Sequence, residues 1–253
     1  MKKIALFILI TILTLGCSND DDSQPVNKSV TFNFTHNWDG QSVSLSDYNT
    51  TEFTNEFGNA LNISKLRYLI SRLELKKPDG SKIAFEEYIL VDLEDPTSLN
   101  LTPAIKVPVG DYSGISFIYG FNEQDNISGA YLDLNLANWG WPDMMGGGYH
   151  FLQMEGKYKD TNGDPQLYAY HNGMAMTNTG DFEQNFISFD FNGDFEISDD
   201  ATIEIKMNIA EWYKNPYLWD LNVFNVDLMM NYEAQKHMNE NGATVFSIGA
   251  ITQ

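Results

Sequence analysis

From Val30 onward the chain repeatedly alternates apolar and polar positions with a period of two. Val30-Thr31-Phe32-Asn33-Phe34 is the first instance, and such alternation is the signature of a half-buried strand. Comparable stretches follow at Lys82–Phe85, Tyr88–Leu93, Tyr112–Tyr119, Tyr149–Tyr158, Leu167–His171, Asn185–Phe191, Thr202–Met207 and Thr244–Ile248. Turn residues separate them, including Pro78-Asp79-Gly80, Val109-Gly110-Asp111, Asn162-Gly163-Asp164 and Asn192-Gly193-Asp194. Short strands punctuated this regularly predict an all-β protein, an antiparallel β-sandwich. Leu66, Leu69, Ile70 and Leu73 have helical spacing, yet Tyr68, Ile70 and Arg72 fit a strand edge equally well. Ile209–Lys214 and Val226–Met238 predict a few short helices near the C-terminus.

The amino terminus follows a different pattern. Lys2 and Lys3 precede the apolar run Ile4–Leu13, which is too short to span a bilayer as a mature helix. It ends in Thr14-Leu15-Gly16-Cys17, followed by Ser18-Asn19-Asp20-Asp21-Asp22. This resembles a bacterial lipobox with an export tag behind it, and it makes Cys17 the residue expected to carry lipid. The expected organisation is a signal peptide over residues 1–17, a polar tether over 18–28 and one β domain over 29–253. The protein would then be an outer-membrane lipoprotein of the cell envelope, facing the periplasm or the exterior.

Composition narrows the chemistry. Cys17 is the only cysteine, so the domain has no disulfide, no thiol nucleophile and no cysteine-based zinc site. The net charge of −20 is spread along the chain; it disfavours nucleic acid and anionic membrane surfaces and would concentrate cations. No GxSxG, HExxH or phosphate-cradling glycine loop is present, and no acid–base pair can be placed, so an enzyme is not expected. Asp160-Thr161-Asn162-Gly163-Asp164 has part of a calcium-loop spacing without the downstream glutamate, which favours a hairpin turn.

Four histidines remain, His36, His150, His171 and His237. His36 follows the first strand, and His171 closes Tyr168-Ala169-Tyr170-His171-Asn172-Gly173. Five methionines, Met144, Met145, Met154, Met174 and Met176, cluster around the segment 138–156, NWGWPDMMGGGYHFLQMEG. Most would fill gaps in the core, but thioether and imidazole together suit the soft ion Cu(I) better than zinc or magnesium.

Trp139-Gly140-Trp141, Gly148-Tyr149-His150-Phe151 through Glu155-Gly156, and Tyr170-His171-Asn172-Gly173 resemble, in order and spacing, elements of the MbnP-like family of copper-binding bacterial proteins. Phe34-Thr35-His36, Leu66–Ser71, Tyr88–Asp92 and Val109–Tyr112 support the likeness, which runs over most of residues 30–250. Pro142–Gly147 is longer than the family pattern, and Tyr170 replaces a phenylalanine.

The resemblance implies a β-rich envelope protein binding one copper as Cu(I), held by imidazoles and by a kynurenine made from tryptophan. By position it offers His36 and His171 as ligands and Trp139 or Trp141 as the oxidised residue, with Met144 and Met154 as auxiliary donors. It also implies a MauG-like dihaem peroxidase as the oxidising partner. An outer-membrane transporter would be a further partner in copper acquisition or storage. A competing reading makes Trp139, Trp141, Tyr149 and Tyr170 a stacking platform for glycans or a protein.

Overall fold

The computed structural model describes residues 26–85 and 87–253. Cys17 and the signal-peptide and lipidation expectations attached to it lie outside the described residues, as does nearly all of the tether. What is described is all-β, with 43% of the chain in strands and 15% in helices, so the sandwich expectation holds.

The smaller sheet is built on β1 (Val30–Trp38), whose inward positions Val30, Phe32, Phe34, His36 and Trp38 are all buried. The larger sheet is built on β2 (Lys65–Lys76), which pairs antiparallel with β3 (Ile89–Asp92), β4 (Gly110–Tyr119) and β5 (Leu152–Lys159). Leu66–Leu73, open between helix and strand by periodicity, is therefore strand; Leu66, Tyr68, Leu69, Ile70 and Leu73 are fully buried because neighbours cover both faces. β5 turns at Asp160–Gly163 into β6 (Pro165–Asn172), the hairpin that the Asp-Gly signals predicted. β7 (Ile187–Ile197) borders β4 on the far side.

Two details depart from the sequence reading. Asn192-Gly193-Asp194 is not a turn: β7 runs through it, and the register slips by a bulge where Gly114 faces Asn192 and Tyr112 faces Phe195. The smaller sheet is also not wholly antiparallel, since β8 (Ala201–Asn208) pairs parallel with β1 while β9 (Phe246–Thr252) pairs antiparallel with β8. Helices are short. α1 (Leu132–Leu136) lies mid-chain, and α2 (Tyr232–Gly242) packs near the end, preceded by 3-10 turns at Ile209–Tyr213 and Leu228–Met230.

The space between the sheets is filled by aromatic rings. Trp212, Trp219, Tyr68, Tyr119, Tyr170 and Tyr213 are essentially inaccessible to solvent, each removing a large apolar area from water. Their hydroxyls find partners: Tyr170 donates to the Trp212 carbonyl at 2.9 Å and Tyr119 to Asn172 Oδ1 at 3.2 Å. With no disulfide in the domain, this interlocked layer is what holds the two sheets together.

Candidate metal centre on the outer face of the larger sheet

Alternation along three neighbouring strands divides the candidate residues between two faces. Tyr68 on β2 faces Leu152 on β5, which faces Asn172 on β6; one step along, Arg67 faces Gln153, which faces His171. Cross-strand partners point the same way and successive residues point oppositely. The Tyr68 row therefore enters the core, and the Arg67–Gln153–His171 row projects from the outer face.

His36 lies on the core side. Its Nε2 is 3.0 Å from the Tyr68 hydroxyl, so the pair joins one sheet to the other. Burial without a charged partner depresses its pKa to about 4. Met154 also points into the core, its sulfur 3.6 Å from the Tyr213 hydroxyl, and Met144 stands 69% exposed on the loop. Neither His36 nor Met154 is brought beside His171: the sheet itself lies between them. His237 is elsewhere, on α2, stacked at 3.7 Å on Tyr217.

What meets His171 is the segment 139–150. It folds back on itself through a Gly140–Tyr149 bridge, with Trp141 N–H donating to the Gly148 carbonyl (3.0 Å) and His150 N–H to the Trp139 carbonyl (2.9 Å). Its tip needs Gly146, Gly147 and Gly148, with φ of +107°, +69° and +83°, a region that side chains disfavour. At Gly148 a Cβ would also lie 2.2 Å from Asn126 Oδ1, the atom that accepts the Tyr149 N–H. Phe151 N–H then donates to the Asn172 carbonyl at 2.7 Å, which sets His150 against the end of β6. Gln235 on α2 clamps that end, donating to the His171 carbonyl at 2.8 Å.

The result is a cluster of two imidazoles and two indoles. The His150 and His171 ring centroids are 5.5 Å apart with planes at 82°. His150 is also edge-on to Trp141 at 4.9 Å and tilted against Trp139 at 5.5 Å. Trp141 lies across Gly173, where a Cβ would meet the indole at 2.5 Å, and its Nε1–H donates to the Met145 carbonyl at 3.0 Å. Trp139 is fully buried, and its Nε1 has no partner among the described residues. The Arg67 guanidinium sits 5.0 Å above the Trp139 ring, held by two hydrogen bonds to Gln153 Oε1 at 3.0 and 2.8 Å.

Both histidines are fixed by acceptors. His150 Nδ1 is 3.1 Å from the Trp139 carbonyl oxygen, and His171 Nε2 is 2.9 Å from Glu155 Oε1, which Lys65 also reaches at 3.0 Å. Burial brings the His150 pKa down to about 4, the nearby carbonyl opposing and the positive Arg67 adding to the fall. The hydrogen bond from His171, helped by Lys65, holds Glu155 down to about 2 against partial burial. The imidazole of His150 is thus neutral at neutral pH, with a lone pair to offer.

Among the described residues no group of three or more His, Asp, Glu or Cys side chains is arranged around one point. Two imidazoles make a low-coordination donor set, which suits a soft monovalent ion and not zinc, calcium or magnesium. The platform reading fares differently: Trp139, Trp141, Tyr149 and Tyr170 are all buried, between 0 and 3% exposed, so none presents a ring face to a glycan. His150 belongs to this cluster, although the sequence alone points to His36 and His171. Its signal was the Tyr149-His150 step directly after the glycine triplet, where a loop must close on a strand end.

The sequence profile of MbnP matches residues 27–230. Among solved structures, MbnP from Methylosinus trichosporium is similar: it is 13% identical, and the match covers 89% of this chain and 99% of that one with a TM-score of 0.54. At that identity the likeness speaks for the fold. A comparison with curated proteins gives no match. With the profile spanning nearly the whole described domain, this chain belongs to the MbnP family.

Proposed function

We propose that this protein binds one copper ion, as Cu(I), between His150 and His171, and serves copper acquisition or storage in the cell envelope instead of catalysing a reaction. The observation that carries the proposal is the meeting of two imidazoles at 5.5 Å in a corner walled by tryptophan. Cu(I) accepts two or three soft or borderline donors and tolerates such low coordination. The membership of the MbnP family and the similar MbnP fold support the same reading. A lipid on Cys17 would hold the domain at the membrane.

A third donor comes from Trp141 once it is oxidised to kynurenine. Two molecules of hydrogen peroxide, used by a MauG-like dihaem partner, break the indole C2–C3 bond, one oxygen atom staying on each carbon and the other leaving as water, and hydrolysis of the resulting N-formyl group releases C2 as formate. That leaves an aniline nitrogen. Trp141 is favoured over Trp139 by electrostatics. The guanidinium above Trp139 opposes removal of an electron from that ring, whereas the Met145 carbonyl that accepts the Trp141 N–H eases loss of its proton.

Native mass spectrometry of the protein purified from its own host tests this. The expected species carries one copper and a single modified tryptophan, mapped by fragmentation to Trp141. A metal-free chain with intact tryptophans that also fails to take up added Cu(I) would reject the proposal.

A further inference from the structure

The two histidines are held by acceptors on different ring nitrogens, and the strand register explains why. On the outer face Glu155 lies opposite Ala169, and Gln153 lies opposite His171. Ala169 is a single methyl, so the Glu155 side chain can lean over it diagonally to the next residue on that face, His171, as cross-strand diagonal neighbours do. There its Oε1 meets His171 Nε2 at 2.9 Å, and Lys65, cross-strand from Glu155 on the other side, grips the same oxygen at 3.0 Å. A carboxylate only accepts, so the proton of that hydrogen bond belongs to Nε2 and the lone pair of neutral His171 is on Nδ1. At His150 the acceptor is the Trp139 carbonyl and the bonded nitrogen is Nδ1, so its lone pair is on Nε2.

We propose that Glu155, anchored by Lys65, is the positioning residue of the metal site: it fixes His171 in the Nε2–H tautomer and thereby selects Nδ1 as the donor, pairing it with Nε2 of His150. This rests on the copper reading above and adds to it a residue that never touches the ion. An acceptor behind a ligating imidazole orients the ring and strengthens it as a donor, and losing one lowers metal affinity roughly 10- to 100-fold. The Arg67–Gln153 pair completes the arrangement. Gln153, directly opposite His171, spends its carbonyl on Arg67, so it does not compete with Glu155 for the imidazole N–H.

The test reads the tautomer without metal. Long-range ¹H–¹⁵N correlation spectra of the metal-free protein at pH 7.5 should assign His171 as the Nε2–H form and His150 as the Nδ1–H form. In Glu155→Ala the His171 signals should move toward a mixture of tautomers while those of His150 stay in place, and Cu(I) affinity should fall roughly 10- to 100-fold. Glu155→Gln keeps an acceptor oxygen and should restore most of both, which a purely structural loss would not do. A wild-type His171 in the Nδ1–H form, or a Glu155→Ala spectrum and affinity equal to wild type, would overturn the assignment. If the tautomer follows Glu155 but wild type has no Cu(I) affinity, the copper reading fails and the positioning role fails with it.

Discussion

His150 stands edge-on to His171, 5.5 Å between ring centroids and 82° between planes, although one closes a loop and the other ends a strand. The contact exists because Phe151 hydrogen-bonds Asn172, so the chain enters β5 directly across from the end of β6. A third backbone position, Gly173, then supplies the floor for Trp141. The site is consequently a product of strand register and of one glycine-dependent loop.

Gly173→Ala should damage the site selectively. Its Cβ would overlap the Trp141 ring carbons at 2.5 Å, so the indole must move and carry the His150 contact with it. We expect a stability loss of roughly 1–3 kcal/mol, the usual range for overpacking a filled site. A change in tryptophan emission and loss of tight Cu(I) binding should accompany it. Thermal melts and fluorescence on the metal-free variant check this.

The two tryptophans should respond differently to substitution. Trp139→Phe should retain the modification of Trp141 in protein from the native host, whereas Trp141→Phe should leave the chain unmodified. Removing the cation with Arg67→Met should make Trp139 easier to oxidise and spread modification over both indoles. Peptide mapping of the three variants distinguishes these outcomes.

Acid should unfold the domain in two stages. His36 and His150 have folded-state pKa values near 4, below the ordinary imidazole value. The unfolded chain therefore binds more protons between about pH 6.5 and 4, and stability falls as pH drops through that window. For His36 that depression, at about 1.4 kcal/mol per pH unit, amounts to roughly 3–4 kcal/mol. Glu155 acts lower: its folded pKa is depressed to about 2, so its contribution is present above pH 4.5 and lost as pH falls toward 2. His36→Gln, which keeps a partner for the Tyr68 hydroxyl, should flatten the upper stage, as measured by urea melts from pH 7 to 4.

Much of this architecture was legible from residue pattern. Alternation in Val30–Phe34 fixed an inward face that the structure buries residue by residue, and the Asp160–Asp164 turn closes the hairpin carrying His171. The parallel pairing of β1 with β8 was not legible, since strand direction across a long connection leaves no local mark. The site was half legible. The family resemblance offers His171 and the tryptophan pair, but His36 two residues after Phe34 and His150 directly after Tyr149 look alike in sequence, and only register reveals which side of the larger sheet each occupies. The His36–Tyr68 bond gives a structural partner to the histidine that the family resemblance offers as a ligand.

Competition for Cu(I) against a chromogenic chelator under anaerobic conditions shows whether His150 and His171 hold the ion. Three forms suffice: wild type, the double variant His150→Ala with His171→Ala, and His36→Ala. Wild type should withdraw one Cu(I) per chain, His36→Ala should do the same provided it is folded, and the double variant should withdraw none. A double variant that competes as well as wild type would contradict this, as would a folded His36→Ala that has lost the ion.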